Sequence, residues 1–181
     1  MTHYFELQVL PNADVTIASI MNMAFGKLHL ALARLNSDDI GVSFPRAKKT
    51  PGDMIRIHGR QEALNSLKEM NAWNGMLDFV QISAVAPVPE VDAYVQVNRV
   101  QPKFSAAKLR RAVRRGSMTE ADAEALFQRQ QDLKHSFLSL ASGSTGQKYP
   151  LFFEQRTIPE TEGLGTFNTF GFTSTGGVPM F

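Results

Sequence analysis

Cysteine is absent from this 181-residue chain. That excludes disulfides, thiolate nucleophiles, zinc–thiolate sites and iron–sulfur clusters, and it fits a reducing compartment. No apolar run approaches the roughly 20 residues of a membrane span. The opening Met1-Thr2-His3-Tyr4-Phe5-Glu6 has neither a basic stretch nor a long apolar one, so no signal peptide is visible and a cytoplasmic location is expected. Internal repeats are also missing. Gly163-Leu164-Gly165 and Gly176-Gly177 follow no strand-to-helix context, so they are not dinucleotide or P-loop signals. Asp38, Asp39, Glu120, Asp122 and Glu124 fall in loops or helix starts without the histidine–carboxylate spacing of a two-metal site. No metal and no cofactor are expected.

The most telling absence is of acid. The chain carries a formal net charge of only +2, yet Ala93 to Thr119 contains no Asp or Glu while it holds Arg99, Lys103, Lys108, Arg110, Arg111, Arg114 and Arg115. On a helix the last four arginines fall within one arc of roughly 140°, and Ala106, Leu109, Ala112 and Val113 take the other side. Arginine forks match phosphate oxygens in bidentate pairs. Nucleic acid is therefore the leading partner, ahead of a merely solvated basic face. A membrane-surface helix is weaker still, because Leu109 and Val113 offer little apolar area.

What is present is a globular chain, 43% hydrophobic and 20% charged, long enough for a sizeable core. Tyr4 to Leu10 alternates as a half-buried strand, and Val15 to Asn36 switches to a helical stripe through Ile17, Ile20, Met21, Ala24, Phe25, Leu28, Ala31, Leu32 and Leu35. Strands follow at Ile40 to Phe44 and Met54 to His58, separated by the basic loop Arg46-Ala47-Lys48-Lys49 and a Pro51-Gly52 turn. A helix over Gln61 to Met70 and a strand over Phe79 to Val85 complete the split βαβ order of a ferredoxin-like domain. Pro87 to Glu90 reads as a linker. Beyond it come a strand at Tyr94 to Val100, the Arg-rich helix and a helix from Glu120 to about Gln131. Strands at Phe137 to Leu140 and Tyr149 to Glu154 follow, then a tail from Gly163 expected to form a hairpin against the sheet. The expected class is α+β: a ferredoxin-like domain over 1–90 and a smaller α+β domain over 91–181.

Four histidines could exchange protons near neutral pH, since ordinary imidazole titrates near ~6.5. His3, His58 and His135 have structural or solvated settings. His29 lies at the border of the apolar stripe of the first helix, beside Ala18, Asn22, Gly26 and Ala33. A helix-interior glycine costs roughly 1 kcal/mol relative to alanine. Two readings stay open: a border histidine beside a packing glycine, or a shelf where a ligand approaches the imidazole. The loop Ser142-Gly143-Ser144-Thr145-Gly146-Gln147 is either an ordinary polar hairpin loop or a set of donors for phosphate. A histidine base without a metal points to RNA, whose own 2′-hydroxyl can attack the adjacent phosphate.

These motifs together resemble the CRISPR repeat-processing endoribonucleases of the subtype I-F systems. The resemblance runs from His3 to Phe181. It is carried by Phe25-Gly26-Lys27-Leu28-His29, Ile40-Gly41-Val42-Ser43-Phe44-Pro45, Arg99-Val100-Gln101, the Arg-rich helix, Ser144-Thr145-Gly146-Gln147 and Val178-Pro179-Met180-Phe181. It implies a ferredoxin-like domain carrying the catalytic histidine, followed by a domain that grips an RNA hairpin. His29 would accept the proton of the 2′-hydroxyl, Ser142 would orient that hydroxyl, and Lys27 would lend charge. Arg99 and Gln101 would read the base of the stem, while Lys108, Arg110, Arg111, Arg114 and Arg115 lie along its major groove. Ser144 and Thr145 would bind phosphate, and Tyr149, standing for the family's phenylalanine, would stack beneath the scissile base. Phe170 stands where relatives carry a tyrosine, so no phenol hydroxyl is available there, and the arginine run is one residue shorter.

The implied activity is metal-independent cleavage of CRISPR precursor RNA 3′ of the repeat stem-loop, leaving a 2′,3′-cyclic phosphate and a 5′-hydroxyl. The implied partners are the hairpin crRNA, which the protein retains, and the other subunits of the subtype I-F interference complex. A non-catalytic hairpin-binding subunit is the alternative. A small-molecule enzyme with an incidental arginine helix is a more distant one.

Overall fold

The computed structural model describes residues 1–91, 93–101, 106–132, 135–142, 146–159 and 165–181, with the side chains of 106, 107 and 129–132 left aside. Its elements run β1 (His3–Val9), α1 (Ile17–Leu35), β2 (Gly41–Ser43), β3 (Met54–Gly59), α2 (Gln61–Glu69), β4 (Val80–Ile82), β5 (Ala86–Pro87), β6 (Ala93–Val100), α3 (Ala106–Arg114), α4 (Glu120–Asp132), β7 (Ser136–Ala141), β8 (Lys148–Pro159) and β9 (Val178–Pro179), with a 3₁₀ turn at Asn74–Met76. The class is α+β. None of these helices is long and apolar enough to cross a membrane.

Two antiparallel sheets result. The first has the order β2-β3-β1-β4, with β5 added to β1; the second runs β7-β8-β6-β9. Thr16 starts α1 by accepting a hydrogen bond from the Ser19 N–H at 3.2 Å, and Asn36, left-handed at φ 50°, ends it. The apolar stripe of α1 behaves as its period demands: Ile20, Met21, Ala24, Phe25, Leu28, Ala31 and Leu32 are buried. They meet Phe5, Leu7, Val9, Ile55 and Ile57 from the first sheet.

The core does not stop at the first sheet. Val97, Leu138, Leu140, Leu151, Phe153 and Phe172 belong to the same buried cluster. Phe44 joins the halves: its ring stacks on Phe153 at 4.5 Å, and Phe153 lies 5.7 Å from Phe172. The Gln155 amide accepts from the Phe44 N–H at 2.9 Å and donates to its carbonyl at 3.2 Å, a carbonyl that also accepts from the Ala47 N–H at 3.0 Å.

Two expectations are corrected. The tail is not a hairpin. Among its described residues only Val178–Pro179 forms a strand, paired with Tyr94 and Val95, while 165–177 passes along β2 as an irregular segment held by its turns. The linker reading at Pro87 also gives way, because Ala86–Pro87 pairs with Tyr4 and His3. A strand of two residues shows no alternation, so its pairing could not be read from pattern.

His58 is structural. It is fully buried, with Nε2 3.0 Å from the Ser43 hydroxyl and Nδ1 lacking a partner among the described residues. Burial, aided by the charges of Arg56 and the terminal ammonium, holds the imidazole neutral and pushes its pKa from 6.5 down to about 3. The unfolded chain therefore binds this proton first as pH falls. Its contribution to stability is complete above the unfolded value and is lost as pH drops from about 6.5 toward 3. His58→Gln should flatten the acid side of the stability curve, removing about 2 kcal/mol of the decline between pH 7 and 5. Urea unfolding across that range checks it, and equal slopes in both proteins would refute the assignment.

Candidate functional site

His29 sits two turns from the C-terminal end of α1, half-buried. Its Nδ1 donates to the Thr169 carbonyl at 2.8 Å, across 140 residues of sequence. A carbonyl can only accept, so the Nδ1 position carries the proton and the neutral ring presents a lone pair at Nε2. The ring also stacks on Phe170, centroids 4.0 Å apart and planes at 11°. Hydrogen bond and stacking together fix tautomer and orientation.

The tail supplies both contacts because Asn168 and Gly171 shape it. Asn168 Oδ1 accepts from the Phe170 N–H at 2.8 Å and the Phe172 N–H at 3.2 Å. Gly171 has φ +72°, and a Cβ there would lie 2.8 Å from Val42 Cγ1, so only glycine fits. The Val42 N–H donates to the Gly171 carbonyl at 3.0 Å, pinning the turn to β2. Phe170 has no hydroxyl to offer, and its contact with His29 is the ring stack.

β7 runs beside the His29 face of α1. The Asn22 side chain accepts from the Ser139 N–H at 2.9 Å, and a Cβ on Gly26 would meet only Leu140 Cδ2, at 4.0 Å. Asn22 and His29 are seven residues apart, hence on one face and about 10 Å apart along the axis. Ser142 follows directly on the last residue of β7, Ala141. Ser142 continues the parity of buried Leu138 and Leu140. Tyr149 pairs with Leu140 and shares its side of the sheet, packed against the core. The Ser142 N–H donates to the Gln147 carbonyl at 2.9 Å and its own carbonyl accepts from Gly146 at 2.8 Å, so the loop is closed by backbone bonds. Ser144, Thr145 and Lys103 lie outside the described residues. The expected shelf beside His29 is thus partly roofed by β7, with room left at Gly26. Lys27 is set aside: two positions from His29 on a helix, it faces the other way.

Arg99 is exposed near the end of β6, its guanidinium carbon 5.9 Å from the Phe170 centroid, and Gln101 is exposed just beyond. This places His29, Phe170 and Arg99 in one row. The Arg-rich helix forms as its pattern requires. Leu109 is buried, while Lys108, Arg110, Arg111, Arg114 and Arg115 are exposed. α3 packs principally on α4, where Leu109 and Val113 share a groove with Ala123 and Phe127. That groove also carries Glu120 and Glu124 beside Arg110 and Arg114, so the acid-free stretch of sequence is not acid-free in space. Even so, among the described residues Arg110, Arg114 and Arg115 form no ion pair, unlike Arg46, Arg56 and Arg60.

Comparison with known proteins shows the family of the chain. A family model described as CRISPR-associated protein (Cas_Csy4) matches residues 4–181. The chain is 35% identical over 184 residues to a CRISPR-associated endonuclease Cas6/Csy4 of Escherichia coli (strain UTI89 / UPEC), covering 100% of both chains. It is also 35% identical over 189 residues to one of Pseudomonas aeruginosa (strain UCBPP-PA14), again covering 100% of both. By the span of the family match and by identity along its whole length, the chain belongs to the Cas_Csy4 family of CRISPR-associated proteins.

Proposed function

We propose that this protein is a metal-independent endoribonuclease that cuts CRISPR precursor RNA just 3′ of the repeat stem-loop. The observation that carries the mechanism is the Nδ1–H bond from His29 to Thr169, which leaves Nε2 as the basic atom. Nε2 takes the proton of the 2′-hydroxyl on the nucleotide before the scissile phosphate. The freed O2′ attacks phosphorus, the P–O5′ bond breaks, and the departing O5′ picks up a proton. The products are a 2′,3′-cyclic phosphate and a 5′-hydroxyl. The nucleophile belongs to the RNA, so the chemistry needs no metal-bound water.

Ser142, just beyond β7, orients the hydroxyl, Tyr149 stacks under the scissile base, and Arg99 with Gln101 reads the foot of the stem. Lys108, Arg110, Arg111, Arg114 and Arg115, with Ser144 and Thr145, hold backbone phosphates. A-form RNA keeps its major groove narrow, but a stem of few base pairs opens near its ends. The protein then keeps its product hairpin and joins the other subunits of a subtype I-F interference complex in the cytoplasm. Incubating a repeat hairpin with the protein in a chelator and identifying the product termini tests this. A 3′-hydroxyl, or a requirement for added metal, would overturn it.

Gly26 supplies a separate check. It has space for a methyl, so packing does not demand glycine, and alanine should stabilise the helix by up to about 1 kcal/mol. A methyl at that spot narrows the approach to Nε2. Gly26→Ala is expected to raise the melting temperature while slowing single-turnover cleavage about 10-fold or more, since small misplacements of reacting groups carry such costs. Unchanged cleavage would show that RNA does not pass over Gly26.

A further inference from the structure

A cavity of about 650 Å³ opens beside the row of His29, Phe170 and Arg99, between β6, β8 and the tail. Arg99 stands at its edge and Phe172 on its wall, with Asn98, Glu154, Asn168, Ser174 and Thr175 around it. Its polar groups are of both kinds. The Asn98 amide nitrogen already donates to Gln96 at 2.8 Å, which leaves its oxygen as an acceptor. The Asn168 oxygen is taken by two backbone N–H groups, which leaves its nitrogen as a donor. Among the described residues the Glu154 carboxylate has no ion-pair partner. Asn98 and Glu154 have no part in the chemistry at His29, and Asn168 enters it only by shaping the tail with its oxygen.

Donors and acceptors together suit the hydrogen-bonding edge of a nucleobase. The volume exceeds what one base needs. A carboxylate accepts from amino-bearing edges and meets the carbonyls of uracil unfavourably. Resting on the endoribonuclease function above, we propose that this cavity receives the first unpaired base flanking the stem and favours one with an exocyclic amine. With Arg99 at the stem foot, as proposed above, both single strands leave beside this cavity, so the base comes from the 3′ flank, which is cut away, or from the 5′ flank.

The test uses hairpins with a 2′-deoxy sugar at the cleavage position, so that they stay intact, and measures affinity for blunt, 3′-flanked and 5′-flanked forms. One flanked form should bind about 5- to 10-fold tighter than the blunt hairpin, the scale of one or two net hydrogen bonds. That form identifies the strand. An abasic site or uridine at the first flanking position should remove the gain. Ser174→Trp, which fills the mouth, should remove it while blunt-hairpin affinity stays unchanged, and Glu154→Gln should lessen the discrimination against uridine. Equal binding of all three forms overturns the proposal, as does equal weakening of blunt and flanked hairpins by Ser174→Trp. Tight binding of the blunt hairpin, together with cutting of all-ribose RNA, reports separately on the endoribonuclease function.

Discussion

His29→Ala should cut the repeat hairpin at a rate lowered by about 10³-fold or more while its affinity stays within about twofold of wild type. Both halves follow from geometry. The imidazole is held by two tail contacts, the Thr169 carbonyl at 2.8 Å and the Phe170 ring at 4.0 Å, and among the described residues by no group belonging to the arginine helix. Removing it takes away the base without touching the cationic surface. Single-turnover cleavage and equilibrium binding on the same hairpin separate the effects. Equal losses in both would make His29 a binding residue. Full cleavage with intact binding would mean that the proton acceptor lies elsewhere.

Replacing Arg110, Arg111, Arg114 and Arg115 together by alanine should produce the opposite pattern. Each phosphate contact releases condensed counterions, so binding weakens with salt in proportion to the number of contacts, with a slope near −0.7 to −0.9 per phosphate. Loss of four should flatten the plot of log K against log salt by about 3 units and lower affinity at low salt by about 10³-fold. Leu109 and Val113, which hold α3 on α4, are untouched, so the fold survives. The Glu120 and Glu124 carboxylates then lose their cationic neighbours and sharpen the loss. The weakening should be uniform across stem sequences, whereas Arg99→Ala and Gln101→Ala should relax preference at the stem foot. A salt slope unchanged by the fourfold substitution would remove α3 from the interface.

Local pattern carried most of the first half of the fold. The stripe of α1, the alternation of β1 and the apolar run of β3 each report on a face that must be buried, so their burial could be read from the chain. The Arg-rich helix was equally legible, since Leu109 and Val113 define its packed side. What pattern cannot report is which element arrives on a given face. The Phe170–His29 stack joins residues 141 positions apart, by subtraction of their numbers, through a turn whose shape depends on Gly171 meeting Val42. The Gln155–Phe44 pairing and the Ala86–Pro87 strand likewise depend on partners distant in sequence. The shelf at Gly26 was legible as an oddity of composition, but its partial roof of β7 was not. Composition marked Arg99 and Ser142, but motif resemblance, rather than spacing, gave Ser142, Tyr149, Arg99 and Gln101 their roles.

The most direct measurement is cleavage of a hairpin in which one ribose, the one preceding the scissile phosphate, lacks its 2′-oxygen. Wild-type protein should bind this RNA as tightly as the all-ribose hairpin and leave it uncut over many half-lives of normal turnover. Cleavage at the usual position would mean that a different nucleophile attacks the phosphate, and the role assigned to the His29 imidazole would be contradicted.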